Sequence, residues 1–121
     1  PSKWKSRLLE GAEEWNSYRE RYPEVTPDLS GLDVSTENLS GYNLCEANLE
    51  NTNLAMADLS EADLSFAKLS GANFSRADLA SASLRGAEVA GANFYNSYLV
   101  GADLSDANME KANLFGATLN T

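Results

Sequence analysis

The sequence predicts a solenoid, a chain that bends once every five residues around a leucine and alanine core, with one amphipathic helix in front of it. Three observations carry this. From Pro27 to the C-terminus an apolar residue recurs with a period of five, from Leu29 and Val34 through to Leu114 and Leu119, nineteen times without exception. Two residues before it, the fifteen positions from Ala47 to Ala117 hold alanine thirteen times, the exceptions being Thr52 and Ser97. Every glycine except Gly11 falls two residues after it, at Gly31, Gly41, Gly71, Gly86, Gly91, Gly101 and Gly116.

Residues 3–22 come first and read as one amphipathic helix. Trp4, Leu8, Ala12 or Gly11, Trp15, Tyr18 and Tyr22 recur at three- and four-residue steps, and Pro23 ends the run. Ser2 is a candidate N-cap. The expected role of the stripe is to cover the first coil, because a solenoid end exposes unpaired strand edges and core side chains. The competing role, an aromatic helix that binds a partner, requires the stripe to face solvent. Five acidic and five basic residues balance in this segment, so the net charge of −9 resides on the repeats. The division is therefore 1–26, helix and linker, and 27–121, the solenoid.

A period of five fits neither regular element. In a helix successive leucines would rotate by about 140° and scatter around the circumference. In a strand an odd repeat would throw them onto opposite faces. A chain that bends once per unit satisfies all nineteen, keeping the apolar residue and the alanine inside and the other three outside. Glycine two residues after the apolar residue and the Asn or Asp just before it suit a corner.

The units themselves, Ala57-Asp58-Leu59-Ser60-Glu61 and Ala102-Asp103-Leu104-Ser105-Asp106, resemble the pentapeptide-repeat family over residues 27–121. The resemblance implies an all-β fold, a right-handed quadrilateral β-helix with four units per coil, here capped by the N-terminal α-helix. Nineteen units then make nearly five coils, a tower roughly 23 Å tall at the spacing of stacked strands. Leu32, Glu37 and Tyr42 stand where later units carry alanine, so the first coil is expected to be wider or distorted.

Composition removes most catalytic chemistry. The chain has no histidine and one cysteine, Cys45, which excludes histidine acid–base catalysis, four-cysteine or His-containing zinc sites and an intrachain disulfide. The negative charge opposes direct binding to nucleic acid or an anionic membrane. No run is long and apolar enough to span a bilayer, and the N-terminus lacks the apolar core of a signal peptide. The chain opens on Pro1, so a processed form or a trimmed chain is expected. The compartment stays open, with the cytoplasm favoured and the periplasm or thylakoid lumen the alternatives if a leader was removed.

With four units per coil, residues twenty apart stack in columns. The face centred on Leu39, Leu59, Leu79, Leu99 and Leu119 collects Glu37, Asp58, Glu61 and Asp78; the next collects Glu46, Asp63, Asp103 and Asp106 against Arg85. Some pentapeptide-repeat relatives, the quinolone-resistance proteins, are acidic rods that engage DNA gyrase or topoisomerase, so the resemblance offers a DNA mimic as an alternative function. The plainer account is that six of the seven aspartates occupy the ordinary corner position and an acidic surface aids solubility. The unbroken five-residue register also leaves no room for the projecting loops of those relatives. A second surface feature is apolar. Tyr95 and Phe115 share one column, Tyr98 replaces the usual Asn or Asp, and Val100 replaces the usual Ser. Clustered exposed apolar groups mark contact sites; these lie near the C-terminal end, where no capping helix precedes Thr121. A homodimer or a docked protein partner is expected there; shielding of the last coil, or cover by residues beyond Thr121, is the alternative.

Other signals carry less. Ser65 and Lys68 match an S-x-x-K string but are ordinary outward positions. Asp58, Glu61 and Asp63 lack calcium-loop spacing. Two N-glycosylation sequons, at Asn38 and Asn73, are products of the repeat consensus. Cys45 reads as a substitute for serine, and Met56, Phe66 and Arg76 occupy the variable corner site and are expected to carry no chemistry. The sequence thus predicts a non-catalytic, rigid interaction or scaffold module with no cofactor, metal or small-molecule substrate.

Overall fold

In the computed structural model, which describes residues 2–119 apart from the Ser2 side chain, the chain starts with two helices rather than the single one expected: α1 (Ser2–Leu8) and α2 (Ala12–Arg21). The N-cap role of Ser2 and the end at Thr121 lie outside the described residues. The break has a local cause. Leu9 and Glu10 still donate to the carbonyls of Lys5 and Arg7 at 3.0 and 3.2 Å, but Gly11 then adopts φ 114°, ψ 163°, a conformation open to glycine alone. The Gly11 carbonyl accepts from the Trp15 N–H and begins α2. Of the predicted stripe, Leu8 and Trp15 are fully buried, Trp4, Ala12 and Tyr18 are half-buried, and Tyr22 is exposed, in contrast to expectation.

After the linker the chain winds into a right-handed, four-sided tower. Fifteen isolated parallel bridges join residues twenty apart, from Asp28↔Asn48 to Tyr98↔Thr118, so each coil takes four units. The unit around Leu49 shows why five residues suffice, because each of its N–H groups has a partner. Ala47 donates to the Leu44 carbonyl and closes the corner, and Asn48 donates to Pro27 in the coil before. Leu49 and Asn51 donate to Lys68 and Ser70 in the coil after. Glu50, the one residue the backbone ladder leaves out, donates to Oδ1 of Asn48 at 3.0 Å. An Asn or Asp before the apolar residue therefore completes the unit, and from Asp28 to Asn113 every such Asx makes this bond.

Positive φ falls two residues after the apolar position in every described unit, which is the type II turn. Eleven of these residues are not glycine, Thr36, Met56, Phe66 and Arg76 among them, and they hold φ between 53° and 64° at a cost of about 1–2 kcal/mol each. Gly86 has an additional reason to be glycine. A Cβ there would lie 2.5 Å from the ring of Phe66, which reaches across from the coil before.

Inside, the apolar repeat positions from Leu29 to Leu99 and the inward alanines from Ala47 to Ala92 are closed off from solvent, and Phe74 and Phe94 stack at 4.8 Å with a 3° interplanar angle. The first coil, expected to be wider or distorted, is distorted slightly at its corners. Its bridges keep the common register, and only the corner bonds of Leu32, Glu37 and Tyr42 lengthen, to 3.2–3.3 Å. No coil lies before these residues, so large side chains have room to rise toward the helices.

Candidate interaction surfaces

The two ends of the tower differ in how their backbone edges are met. By the ladder register, the carbonyls of Asn43 and Cys45 would accept from positions 24 and 26, and the Asn43 N–H would donate to position 22. There the chain is linker, and α2 supplies the missing partners from side chains. Trp15 Nε1 and Arg19 Nη1 both donate to the Asn43 carbonyl, at 2.7 and 3.0 Å. Arg19 Nη2 donates to the Cys45 carbonyl at 2.7 Å, and the Asn43 N–H donates to Asn16 Oδ1 at 2.7 Å. Tyr42 adds a bond from its hydroxyl to the Leu8 carbonyl, and burial raises its pKa. Burial likewise lowers the pKa of Arg19, against the opposing fields of Cys45, Glu46 and Asp63. Asn16 and Arg19 escaped the sequence reading because it sought apolar residues; Arg19 stands four after Trp15, on the buried stripe.

The acidic faces are less continuous than the column arithmetic suggests. Asp58 and Asp78 are neighbours, but the column begins at Asn38 and continues past them through Tyr98 to Thr118. On the next face Ser83 separates Asp63 from Asp103. Glu61 and Asp106 sit on positive-φ corners. Asp58, Asp63 and Asp103 each accept two bonds from their own turn, from the N–H and the hydroxyl of Ser60, Ser65 and Ser105. Such bonds from serine hydroxyl and N–H hold the carboxyls of Asp28, Asp33 and Asp103 below the ordinary carboxylate range. Ser65 thereby spends its hydroxyl on Asp63 and has no arrangement with Lys68. Cys45 is half-buried, with its Sγ 3.5 Å from Ser65 Oγ.

Of the apolar surface residues, the structure brings Tyr95 and Phe115 together, with rings 5.9 Å apart and 9° from parallel. Arg76 lies over the Tyr95 ring at 5.4 Å, so this corner residue, expected to carry no chemistry, forms the first rung of a cation–aromatic ladder. Phe115 is 73% exposed. Tyr98 is also exposed and Val100 half-buried, but they belong to the next face. Leu114 and Leu119, core residues by their repeat position, are exposed in the last described coil and extend the same apolar end.

Among the described residues no helix is long and apolar enough to cross a membrane. No group of three or more His, Cys, Asp or Glu is placed there to hold a metal ion.

A family profile described as pentapeptide repeats (8 copies) matches residues 28–65, 57–94 and 82–120. A search of curated protein sequences returns no match. Among solved structures, the chain is similar to a pentapeptide repeat protein of the Arabidopsis thaliana thylakoid lumen, with 34% identity, TM-score 0.73, and coverage of 75% of this chain and 63% of that one. It is also similar to HetL, a pentapeptide repeat protein involved in heterocyst differentiation regulation in the cyanobacterium Nostoc, with 32% identity, TM-score 0.72, and coverage of 76% and 44%. A further Nostoc pentapeptide repeat protein is 27% identical with TM-score 0.59, over 85% of this chain and 93% of its own. The chain thus spans less than two thirds of the first two relatives.

Proposed function

This chain belongs to the pentapeptide-repeat family, and from that premise we propose that it is a non-catalytic, rigid protein-interaction module that uses the C-terminal end of the tower. The observation that carries the reading is the ladder of Arg76, Tyr95 and Phe115, which runs toward an end whose core leucines are exposed. A flat, backbone-bonded face holds these rings in place before any partner arrives, which reduces the ordering cost of association. Tyr98 and Val100 widen the same end on the neighbouring face. The occupant is a second copy of the chain or a protein partner.

Light scattering tests it. The chain is expected to form dimers that Tyr95→Ser with Phe115→Ser dissolves; a strict monomer that the double substitution leaves unchanged removes the dimer version. A docked partner is then sought by affinity capture with the surface intact and substituted.

A second reading is an acidic mimic of duplex DNA aimed at a gyrase- or topoisomerase-type partner, supported by the stacked Asp58 and Asp78. It predicts competition with DNA, strong salt sensitivity and loss on neutralising Asp58, Asp63, Asp78 and Asp103. Absence of any effect on gyrase supercoiling at micromolar protein disposes of it. The first reading is preferred because turn hydrogen bonds already account for aspartate at those positions. For compartment, the cytoplasm is favoured, with the periplasm or the thylakoid lumen, where the Arabidopsis relative is found, as alternatives if a leader was removed; fractionation decides.

A further inference from the structure

Away from the ladder, a cavity of about 300 Å³ opens beside the two helices, lined by Lys3, Trp4, Arg7, Tyr18 and Val25. Its chemistry differs from that of the tower. In a chain of net charge −9, α1 contains three cations and no acid, and two of those cations line the cavity; no carboxylate occurs among its described lining residues. The other walls are aromatic. Trp4 meets Trp15 and Tyr18 edge to face at 6.1 and 5.9 Å, and the Arg7 guanidinium lies 4.1 Å from the centre of the Tyr18 ring. Trp15, behind Trp4, is fully buried and bonded to the Asn43 carbonyl. The aromatic wall is therefore braced against the tower and does not have to be ordered by a ligand.

We propose that this cavity binds a small planar anion of the aryl carboxylate class, its ring against Trp4 and Tyr18 and its carboxylate toward Lys3 and Arg7. The size suits a single ring, at the lower end of the range for ligand pockets. Aromatic walls favour a flat apolar body, and the guanidinium and ammonium supply charge-assisted donors for the carboxylate. The inference departs from the sequence expectation of no small-molecule ligand and does not depend on the ladder at the other end.

The test is an amide and indole NMR titration of the full chain with 4-hydroxybenzoate, 4-hydroxybenzyl alcohol and acetate. Saturable shifts of the Trp4 indole are expected with 4-hydroxybenzoate, with 4-hydroxybenzyl alcohol weaker by about five-fold or more, the worth of one unit charge at contact distance in water, and with acetate weaker because it has no ring to set against Trp4 and Tyr18. Lys3→Gln and Arg7→Gln should each weaken the benzoate by a similar factor. The Trp15 indole reports whether the helices remain seated; if Arg7→Gln moves it, Lys3→Gln alone decides, because Lys3 is not part of the aromatic cluster. No saturable shift, an equal response to the neutral alcohol, or affinity unchanged by Lys3→Gln overturns the proposal.

Discussion

The two ends of the tower present the same kind of edge and treat it differently. At the N-terminal end Trp15, Asn16 and Arg19 reproduce the donors and the acceptor of an absent unit, and Leu8 and Trp15 are sealed beneath the helices. At the C-terminal end the N–H groups of Leu104, Met109 and Leu114, which would donate to a following coil, find no backbone partner among the described residues, and Leu114, Leu119 and Phe115 are exposed. The middle coils are nearly interchangeable; the first and last described coils differ in how their edges are met.

The largest expected effect contrasts the middle with the open end. Leu64→Ala or Leu84→Ala should cost about 2–5 kcal/mol, since both side chains are fully buried and the stacked coils cannot collapse onto the void. Leu114→Ala should cost about 1 kcal/mol or less, because much of its surface is already wet. Denaturant unfolding measures both; equal costs would mean that the last coil is as well covered as the middle.

Next comes the closed end. Arg19→Ala should destabilise by about 1.5–3 kcal/mol through loss of charge-assisted bonds to two carbonyls. Arg19→Lys should recover little, because one ammonium cannot reproduce the fork. Unfolding in denaturant again reads the result.

A smaller effect is expected inside. The Ser97 hydroxyl is buried without a partner, whereas Thr52 donates to the Leu29 carbonyl at 2.8 Å. Ser97→Ala should therefore raise stability by about 1 kcal/mol, and Thr52→Ala should lower it. Thermal melts of the two variants should move in opposite directions.

The smallest effect is acid sensitivity at the exposed corners. The carboxyls of Asp28, Asp33 and Asp103 are lowered by their serine bonds, so the stability they contribute is complete above the ordinary carboxylate value near 4 and is lost as pH falls through the lowered folded values. The Asn-centred turns have nothing to titrate. Melts from neutral to acid pH should therefore show less acid loss for Asp103→Asn than for the parent chain.

These contrasts also mark what the sequence could tell. The period, the alanines and the glycines are properties of a repeating unit, and one turn geometry, repeated eighteen times among the described residues, writes them plainly. The column pairing of Tyr95 with Phe115 was legible once twenty residues made a coil. The break at Gly11 was not, because a glycine on an apolar stripe looks like a small helical residue until its φ is known. Arg19 was hidden for a related reason: it is buried by bonds to backbone carbonyls, and backbone groups leave no trace in side-chain periodicity. Arg76 became significant only because Tyr95 lies within reach of its guanidinium, a meeting across coils that the variability of its own position obscured.

Amide hydrogen exchange, resolved residue by residue, tests the difference between the ends most directly. The N–H groups of Leu44, Leu64 and Leu84 should exchange slowly, and the Asn43 N–H, held by Asn16, should be protected although no coil lies before it. Those of Leu104, Met109 and Leu114 should exchange quickly. Slow exchange at Leu104, Met109 and Leu114 in the monomer, or fast exchange at Asn43, would contradict the difference between the edge met by α2 and the last described coil.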